Sequence, residues 1–330
     1  MAKLTLKNIK KKENITIEEV HKEYLDYCIA IGQREKTIES KIRFFRYELP
    51  KLIDVKKDIK EMNRKDIENH VITMRKEGYK GNTYQTFIIK LKTFLSYSFR
   101  NNYLDKFEVK IPTISLEKKE VYTESELEKL LKKPNINSCL VGDFRSWATV
   151  NLLLGTGCRS ETLLNIKVCD INFENDSILF RHMKTKKQVI VPLSKTLKVV
   201  LNEYIKLMRL KQEDILFPKL NGEKMSYDTL HQNLCIYFRH RKVKMRGVNT
   251  FRNTFATMFI RNKGDIYRLK IQLAHSNIKT TERYINLLPL DLEESILEYN
   301  PLDVLSKKNS RLSIKRGSSN ICALLRVAEM

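Results

Sequence analysis

Glycine and proline are scarce in this chain, with ten glycines and seven prolines among 330 residues. An all-β domain needs many tight turns, so this scarcity argues against that class, and the many Lys, Glu, Leu and Ile residues favour helices. No apolar run approaches the roughly 18 residues that suggest a membrane span, and the basic N-terminus lacks the apolar core of a signal peptide. These absences predict a mainly α-helical protein of the cytoplasm.

The cysteines lack the spacing of a zinc site or of a disulfide framework. Six are scattered along the chain without a CxxC pair, at Cys28, Cys139, Cys158, Cys169, Cys235 and Cys322. Most of them have apolar neighbours in the sequence. We therefore expect most to be buried thiols in a protein of a reducing compartment.

Negative charge is also in short supply, and this is the strongest global property of the sequence. Lys and Arg number 62 against 39 Asp and Glu, which gives a net charge of +23 spread along the chain. A fold with this excess repels itself unless a polyanion neutralises it. Nucleic acid is the expected partner, while an anionic membrane surface or a merely lysine-rich, solvated surface are the alternatives.

The first third of the sequence predicts a small all-helical domain. Thr16 and Glu19 form a capping-box pattern, and apolar residues follow it at helical spacing. Three further amphipathic helices follow, of which the first is expected over 37–49. The predicted domain covers residues 15–105, and we expect the basic segment 1–14 before it to be flexible.

A change of character marks a second domain. The stretch 106–121 is basic and has no helical period, so it predicts an extended linker. A second capping box, from Thr123 to Glu126, then opens residues 122–300. Residues 301–330 form a basic, Ser-rich tail that ends in a short apolar stretch.

The second domain contains the only convincing strands of the sequence. Two stretches rich in β-formers, 170–173 and 177–180, are joined by a polar turn, and a third, 189–193, follows a basic turn. Helical periodicity resumes near Lys195 and continues to about Glu298. The predicted fold class is therefore mainly α with a small antiparallel sheet, in which the second domain is of the α+β type.

Three segments carry candidate chemistry. The first is a Gly-containing turn that ends in Arg159, the second is NTFRNTFAT around Arg252, and the third is AHSNIKTTERY with His275 and Tyr284. Each alone is weak, because a single histidine or tyrosine is more often structural. In this order and spacing they resemble the tyrosine recombinase (phage integrase) family: the third segment is close to the signature around its nucleophile, and TGCR is close to its first arginine box.

The resemblance implies a role for each residue. Tyr284 would attack a DNA phosphate and form a 3′-phosphotyrosyl bond, while Arg159 and Arg252 would stabilise the negative charge of the transition state. His275 would donate a hydrogen bond to the same phosphate. Lys184, preferred over two neighbouring lysines of the basic turn, would protonate the departing 5′ oxygen. The resemblance implies no metal and no cofactor.

Two positions depart from the family pattern. Asn249 stands where the family usually has a His, three residues before its second Arg. Its amide can donate to a phosphate oxygen but cannot exchange protons near neutral pH. Thr162 stands where an acidic residue is usual, and the neighbouring Glu161 points about 100° away from it on a helix.

The resemblance also assigns functions to whole segments. Residues 15–105 would be the core-binding (SAM-like) domain and 122–300 the catalytic domain, and the two would clamp a DNA duplex. The basic stretch 236–242 would contact the DNA backbone. The tail 301–330 would either dock on a neighbouring protomer or stay disordered.

The implied partners are double-stranded DNA and further copies of the chain. The protein would be a monomer or weak dimer when free and a tetramer at synapsis, where strands exchange through a four-way junction, with an accessory DNA-bending protein as a further partner. The basic tail and the two departures favour integration and excision of a mobile element over the resolution of chromosome dimers. The alternatives are a DNA-binding protein with a decayed active site and a topoisomerase with the same chemistry.

Overall fold

The computed structural model describes residues 14–114, 119–181, 188–275 and 277–285. The chain divides into two compact units, Met1–Glu117 and Lys118–Met330, called here the N-terminal and the C-terminal unit. Several predictions lie outside the described residues, among them the flexibility of almost all of the segment 1–14, the role of Lys184 and the behaviour of the tail 301–330.

The N-terminal unit consists of helices joined by short turns. Its α-helices are α1 (Ile17–Ala30), α2 (Glu35–Arg43), α3 (Arg64–Lys76) and α4 (Gly81–Arg100), with 3-10 turns at Leu49–Lys51 and Ile59–Glu61. The capping box predicted before α1 is present, because the Thr16 hydroxyl accepts from the amide of Glu19 and the Glu19 carboxylate accepts from the amide of Thr16. The four predicted helices are confirmed.

The core of this unit is formed by one apolar face of α1, α3 and α4. Val20, Ile67, Leu91 and Phe94 are all at most 2% exposed. Burying a side chain of this size contributes about 1.5–3 kcal/mol to the free energy of unfolding. The helices are therefore stabilised mainly by packing, since helices of this length are marginal alone in water.

The second predicted helix differs from the expectation at its C-terminal end. Regular α-helix ends at Arg43, and the chain continues as a π-helical turn, Phe44–Glu48, into the 3-10 turn that contains Pro50. The wider turn lets the amide of Leu49 donate to the carbonyl of Phe44, and both side chains are buried. Leu49 itself keeps α-helical dihedral angles, but Pro50 has no amide hydrogen and therefore cannot continue the hydrogen bonds of a regular helix.

Part of the predicted linker belongs to the N-terminal unit. Val109 is buried, the ring of Phe107 packs edge-on against Phe99, and the Gln85 side chain donates to the carbonyl of Pro112 at 3.1 Å. Its described residues, 106–114 and 119–121, contain no helix or strand, but Phe107 and Val109 are used for packing. The predicted domain boundaries at 105 and 122 stay predictions.

The C-terminal unit is built around one central helix. Its α-helices are α5 (Glu124–Leu131), α6 (Val141–Thr156), α7 (Ser160–Leu163), α8 (Lys195–Leu207), α9 (Tyr227–His240), α10 (Asn249–Arg261), α11 (Ile266–Gln272) and α12 (Lys279–Ile285). Helix α6 contacts α8, α9 and α10 and is buried on most of its surface, as expected for a helix without a polar face. In the described part of the chain, no helix is both long and apolar enough to cross a membrane.

A three-stranded antiparallel sheet lies in the C-terminal unit. The strands β1 (Ile171–Asn172), β2 (Ser177–Phe180) and β3 (Val189–Pro192) are neighbours in that order. Ile178 pairs with Val191, and both are fully buried. The predicted fold class, mainly α with a small antiparallel sheet, is confirmed.

The prediction of continuous helical structure after Lys195 is wrong between α8 and α9. Most of residues 208–226 are irregular, with Leu216 and Phe217 fully buried. The amide of Leu216 donates to the carbonyl of Ile166 at 2.8 Å, so this segment packs like a strand without becoming one. Pro218 and the turn at Gly222 prevent a helix here. The predicted helix beyond Ile285 lies outside the described residues.

The expectation that most cysteines are buried is wrong for the described part of the chain. Cys28 and Cys158 are buried, Cys139 and Cys235 are half-buried, and Cys169 is exposed. Apolar neighbours in sequence do not determine burial, because the facing direction of a side chain depends on the element that carries it. Cys322 lies outside the described residues.

The start of α5 is fixed by a carboxylate with several partners. The second predicted capping box is present between Thr123 and Glu126. Glu126 also accepts two hydrogen bonds from the guanidinium of Arg246, at 2.9 and 2.7 Å. These bonds from Arg246 are the largest cause that lowers the pKa of Glu126 to about 2. The ion pair thus ties α5 to the segment before α10.

We expect Glu126→Gln to lower the free energy of unfolding by about 1–2 kcal/mol at pH 7. The folded pKa lies below the usual 4.5, so the stabilisation is complete above about pH 4.5 and is lost as the pH falls towards 2. Urea unfolding of both proteins at pH 7 and pH 3.5 would measure this. Glu128→Gln, on the exposed side of α5, is the control. A difference that does not shrink at pH 3.5 would contradict the role of the ion pair.

Candidate active site

Arg252 on α10 joins three segments of the C-terminal unit. Its guanidinium donates to the carbonyl oxygen of Gly157 at 2.9 Å and to that of Leu273 at 2.7 Å. A third bond runs from Nη2 to Nε2 of His275 at 2.8 Å. Because the guanidinium is planar and always a donor, one side chain fixes the relative positions of all three segments.

Gly157 lets the turn after α6 come close to α10. It has a φ of +63°, and a Cβ atom at this position would lie 2.5 Å from Cδ1 of Phe255 and 2.8 Å from Cδ2 of Leu273. Only glycine satisfies both the left-handed conformation and the lack of space. The turn can therefore deliver Arg159, two residues later, to the neighbourhood of Arg252.

Arg159 is the residue that precedes α7, and its side chain is half-buried. Burial lowers the pKa of its guanidinium, and the nearby phenol of Tyr284 acts in the opposite direction. Its Nη1 atom is buried and has no hydrogen-bond partner within the described residues. Arg159 therefore has a donor available for an anionic oxygen.

His275 is held between Arg252 and the hydroxyl of Thr281. A guanidinium can only donate, so Nε2 of His275 must accept, and the ring proton is on Nδ1, which donates to Thr281 Oγ1 at 2.8 Å. Burial is the main cause that lowers the pKa of His275 to about 3, and the charge of Arg252 adds to it. The imidazole is thus neutral near pH 7.

Tyr284 is packed inside the site. The residue is 2% exposed, and its ring lies parallel to that of His275 with the centroids 6.3 Å apart. Its hydroxyl donates to Oδ1 of Asn253 at 3.3 Å. The ammonium of Lys119 lies 4.0 Å from the ring centroid. In this arrangement, the phenol oxygen is bonded to the protein and largely shielded from solvent.

Positive charge is concentrated in this site. Among the described residues, no carboxylate contributes to the pKa shifts of Arg159, Arg252 or His275. Burial lowers the pKa of Arg252 to about 10, and repulsion from Arg159 adds to it. Both guanidiniums remain charged at neutral pH. Two neighbouring guanidiniums that have lost part of their hydration favour the binding of an anion. Its negative charge replaces the interactions with water that burial has removed.

The structure brings Arg159, Arg252, His275 and Tyr284 together, although they come from segments that are far apart in the sequence. Asn249 is on the same helix as Arg252, but it is exposed, and its side chain forms no hydrogen bond within the described residues. The catalytic roles assigned to these residues stay predictions.

The second departure from the family pattern is Thr162, and the structure shows how it and the neighbouring Glu161 are oriented. Thr162 is buried, with 3% of its surface exposed, whereas Glu161 is exposed. Glu161 thus points away from the side on which Thr162 is buried, as the helical geometry predicts.

The basic stretch 236–242 is partly used within the C-terminal unit. Arg241 donates to the carbonyl of Lys132 at 2.7 Å, and His240 is 3.0 Å from the carboxylate of Asp143. Arg239 is exposed. The predicted contact of this stretch with DNA stays a prediction.

Sequence reasoning missed three residues of the site. Asn253 accepts from Tyr284, Thr281 accepts from His275, and Lys119 lies over the Tyr284 ring. Thr281 and Asn253 are within the recognised segments, so their polarity next to candidate residues was an available signal. Lys119 lies 165 residues before Tyr284, and no sequence pattern links the two.

Comparison with known proteins identifies the family of this chain. The model of the phage integrase family matches residues 120–290. Tyrosine recombinase XerA of Saccharolobus solfataricus is 30% identical over 68% of this chain and 70% of its own length. XerA of Pyrococcus horikoshii is 25% identical over 87% of this chain and 96% of its own length.

Solved structures show the same fold. The Tn1549 transposon integrase in complex with a circular intermediate DNA has a TM-score of 0.66 and 18% identity, covering 82% of this chain and 95% of that chain. A lambda integrase tetramer bound to a Holliday junction has a TM-score of 0.65 and 15% identity, with 84% and 83% covered. Because the family model matches more than half of the residues, the chain belongs to the phage integrase family of tyrosine recombinases.

Proposed function

We propose that this recombinase breaks and rejoins double-stranded DNA at specific sites, with Tyr284 as the nucleophile, and that it integrates and excises a mobile element in the cytoplasm. The observation that carries the chemical part is the cluster of Tyr284 with His275 and two guanidiniums, those of Arg159 and Arg252. This set fits an attack on a phosphodiester, in which a hydroxyl nucleophile meets a phosphate whose negative charge increases in the transition state.

The reaction conserves the number of phosphate ester bonds. The Tyr284 hydroxyl loses its proton and its oxygen bonds to the phosphorus, while the bond to the 5′ oxygen breaks. The leaving oxygen takes up one proton, so that the number of protons is conserved. The product is a 3′-phosphotyrosyl bond and a free 5′ hydroxyl, and a 5′ hydroxyl from a second DNA reverses the step. No external energy source is required, because the ester bond is stored on the protein.

The guanidiniums are suited to the phosphate oxygens. Arg159 has the unpartnered Nη1 atom, and Arg252 holds His275 through a bond that a phosphate oxygen can replace. A well-placed donor of this kind contributes roughly 3–4 kcal/mol to the stabilisation of such a transition state. We assign Asn249 a positioning contact with the phosphate and Lys184 the protonation of the leaving oxygen.

The described arrangement is a resting state in this proposal. Tyr284 is bonded to Asn253 and shielded, so its hydroxyl must leave that partner before it reaches a phosphate. The Nε2 atom of His275 accepts from Arg252 and cannot donate at the same time. DNA binding therefore has to reorganise these bonds, and the net charge of +23 supplies the attraction that draws the duplex in.

The assembly and the biological role rest on the relatives. The lambda integrase is a tetramer on a Holliday junction, and the Tn1549 protein is a transposon integrase bound to a circular intermediate. We propose the same assembly for this chain: one protomer per half-site, a tetramer on two sites, and an accessory DNA-bending protein where the element's ends require it. The rivals are a decayed DNA-binding protein, supported by Asn249 and Thr162, and a topoisomerase.

We expect Tyr284→Phe to abolish covalent attachment to DNA, because the variant retains the ring but has no nucleophilic oxygen. The substrate is a nicked duplex that carries the binding site selected by the protein from a random pool. After cleavage the short fragment leaves, and a wild-type band resistant to denaturation but sensitive to protease should appear. Binding of the variant should be unchanged. A band that persists with Tyr284→Phe would assign the nucleophile elsewhere, and no wild-type band despite tight binding would favour the decayed site.

We expect Asn249→His to increase the cleavage rate about tenfold or more, because an imidazole at the start of α10 exchanges protons near neutral pH. The measurement is single-turnover cleavage of the same nicked duplex. Asn249→Gln, which keeps an amide, is the matched control and should not accelerate the reaction. Equal rates for the three proteins would show that proton exchange at this position does not limit cleavage.

The selected DNA site distinguishes a mobile-element integrase from a chromosomal resolvase. We expect sequences that match it at both ends of the element that carries the gene, and plasmids with two such sites should recombine. A single match at a chromosomal position distant from the gene would contradict the mobile-element role. Relaxation of a supercoiled plasmid without any site would instead indicate a topoisomerase.

A further inference from the structure

Lys119 lies against the nucleophile although it belongs to none of the recognised segments. Its Nζ atom is 4.0 Å from the centre of the Tyr284 ring, and its side chain is half-buried. An ammonium within about 6 Å of an aromatic face is attracted by the negative potential of that face. The contact lies within the C-terminal unit.

The backbone around Lys119 is fixed to the helix that carries Arg252. The amide of Tyr122 donates to the hydroxyl of Thr254 at 2.9 Å, and the side-chain amide of Asn253 donates to the carbonyl of Glu120 at 3.5 Å. The ring of Tyr122 packs on Phe251 of the same helix. These bonds hold the backbone next to Lys119 in place, so the position of the lysine does not depend on its own side chain alone.

Asn253 connects the lysine segment with the nucleophile. Its Oδ1 accepts from the Tyr284 hydroxyl while its Nδ2 donates to Glu120. The segment that carries Lys119 and the ring of Tyr284 are thus bonded to the same amide.

The charges that face Tyr284 determine how easily its oxygen becomes anionic. In the described part of the chain these groups are Arg159 before α7, Arg252 on α10, His275 after α11 and Lys119 on the segment before α5. The two arginines are assigned to the phosphate, and His275 is neutral. Both arginines also interact with the phenol, whereas Lys119 is the cation that lies over the face of the Tyr284 ring. A nearby positive charge favours an ionised phenol over a neutral one.

We propose that Lys119 is a positioning residue for Tyr284, whose ammonium holds the ring in place and favours the anionic oxygen at the moment of attack. The inference rests on the proposed role of Tyr284 as the nucleophile. It adds a residue outside the recognised arginine, histidine and tyrosine segments to the reaction. The same charge faces His275 and helps to keep the imidazole neutral.

A lysine at this position could instead serve only as a contact to the DNA backbone. That role would change the affinity for DNA and its dependence on salt, but not the reaction of DNA that is already bound. A charge next to the phenol would change the rate at saturating DNA, because it favours the ionised nucleophile over the neutral one. Measurement of cleavage against pH at saturating DNA separates the two roles.

The experiment compares wild type with Lys119→Met, which keeps the length of the side chain without its charge, and with Lys119→Arg, which keeps the charge. Single-turnover cleavage of the selected nicked duplex is measured from pH 6 to pH 10. We expect Lys119→Met to be about tenfold slower at pH 7 and its pH dependence to shift upwards by about one unit. Lys119→Arg should restore most of the rate and the wild-type pH dependence.

Lys129→Met, on the exposed face of α5, removes one charge from the same unit and should behave like wild type. Thermal unfolding of each variant establishes that it is folded. Unchanged cleavage by Lys119→Met at saturating DNA, or an equal loss with Lys119→Arg, would overturn the proposal. Absence of a covalent band with wild type would instead contradict the proposed function, so the two failures are distinguishable.

Discussion

The buried guanidinium of Arg252 is the interaction on which the site depends. It bonds the turn after α6, the end of α11 and the imidazole of His275, and thereby joins three segments through one side chain. Burying a charge is costly unless its donors are satisfied, and here two carbonyl oxygens and a ring nitrogen accept them. The requirement for glycine at position 157 follows from the same bond, because a side chain there would separate the turn from α10.

The same guanidinium makes the site unfavourable for the protein alone and favourable with DNA. Arg159 raises the electrostatic cost of Arg252, and burial lowers the pKa values of both. A bound phosphate reduces this repulsion. Its oxygens can accept a hydrogen bond from Nη1 of Arg159, which has no partner among the described residues, and from Nη2 of Arg252, which is bonded to His275 in this state. The two neighbouring guanidiniums therefore lower the stability of the free protein and at the same time favour phosphate binding. Such a trade-off between stability and function is common at sites that bind a charged transition state. The remainder of the C-terminal unit, with α6 packed on α5, α8, α9 and α10, stabilises the charged cluster.

Much of the fold followed from local sequence patterns, whereas the site followed only from a family motif. Capping boxes gave the starts of α1 and α5, and stretches rich in β-formers between turns gave the three strands, because these signals are contained in a few adjacent residues. The π-helical turn at Phe44–Glu48 and the irregular segment 208–226, with its buried Leu216 and Phe217, were missed, since both are decided by packing against distant residues. The contact of Lys119 with Tyr284 was missed for the same reason: it joins residues far apart in sequence, and neither residue type predicts the other.

The hydrogen bonds of His275 show how DNA itself could change the protonation of the site. In the described state Nε2 accepts from Arg252 and the proton is on Nδ1, bonded to Thr281. A phosphate oxygen is a stronger acceptor than the ring nitrogen, so it would draw the guanidinium away from Nε2. The negative charge of the phosphate would also oppose the burial and the arginine charge that lower the pKa of His275. Nε2 would then take up a proton and donate to the same phosphate, so that the substrate generates the donor that the reaction needs.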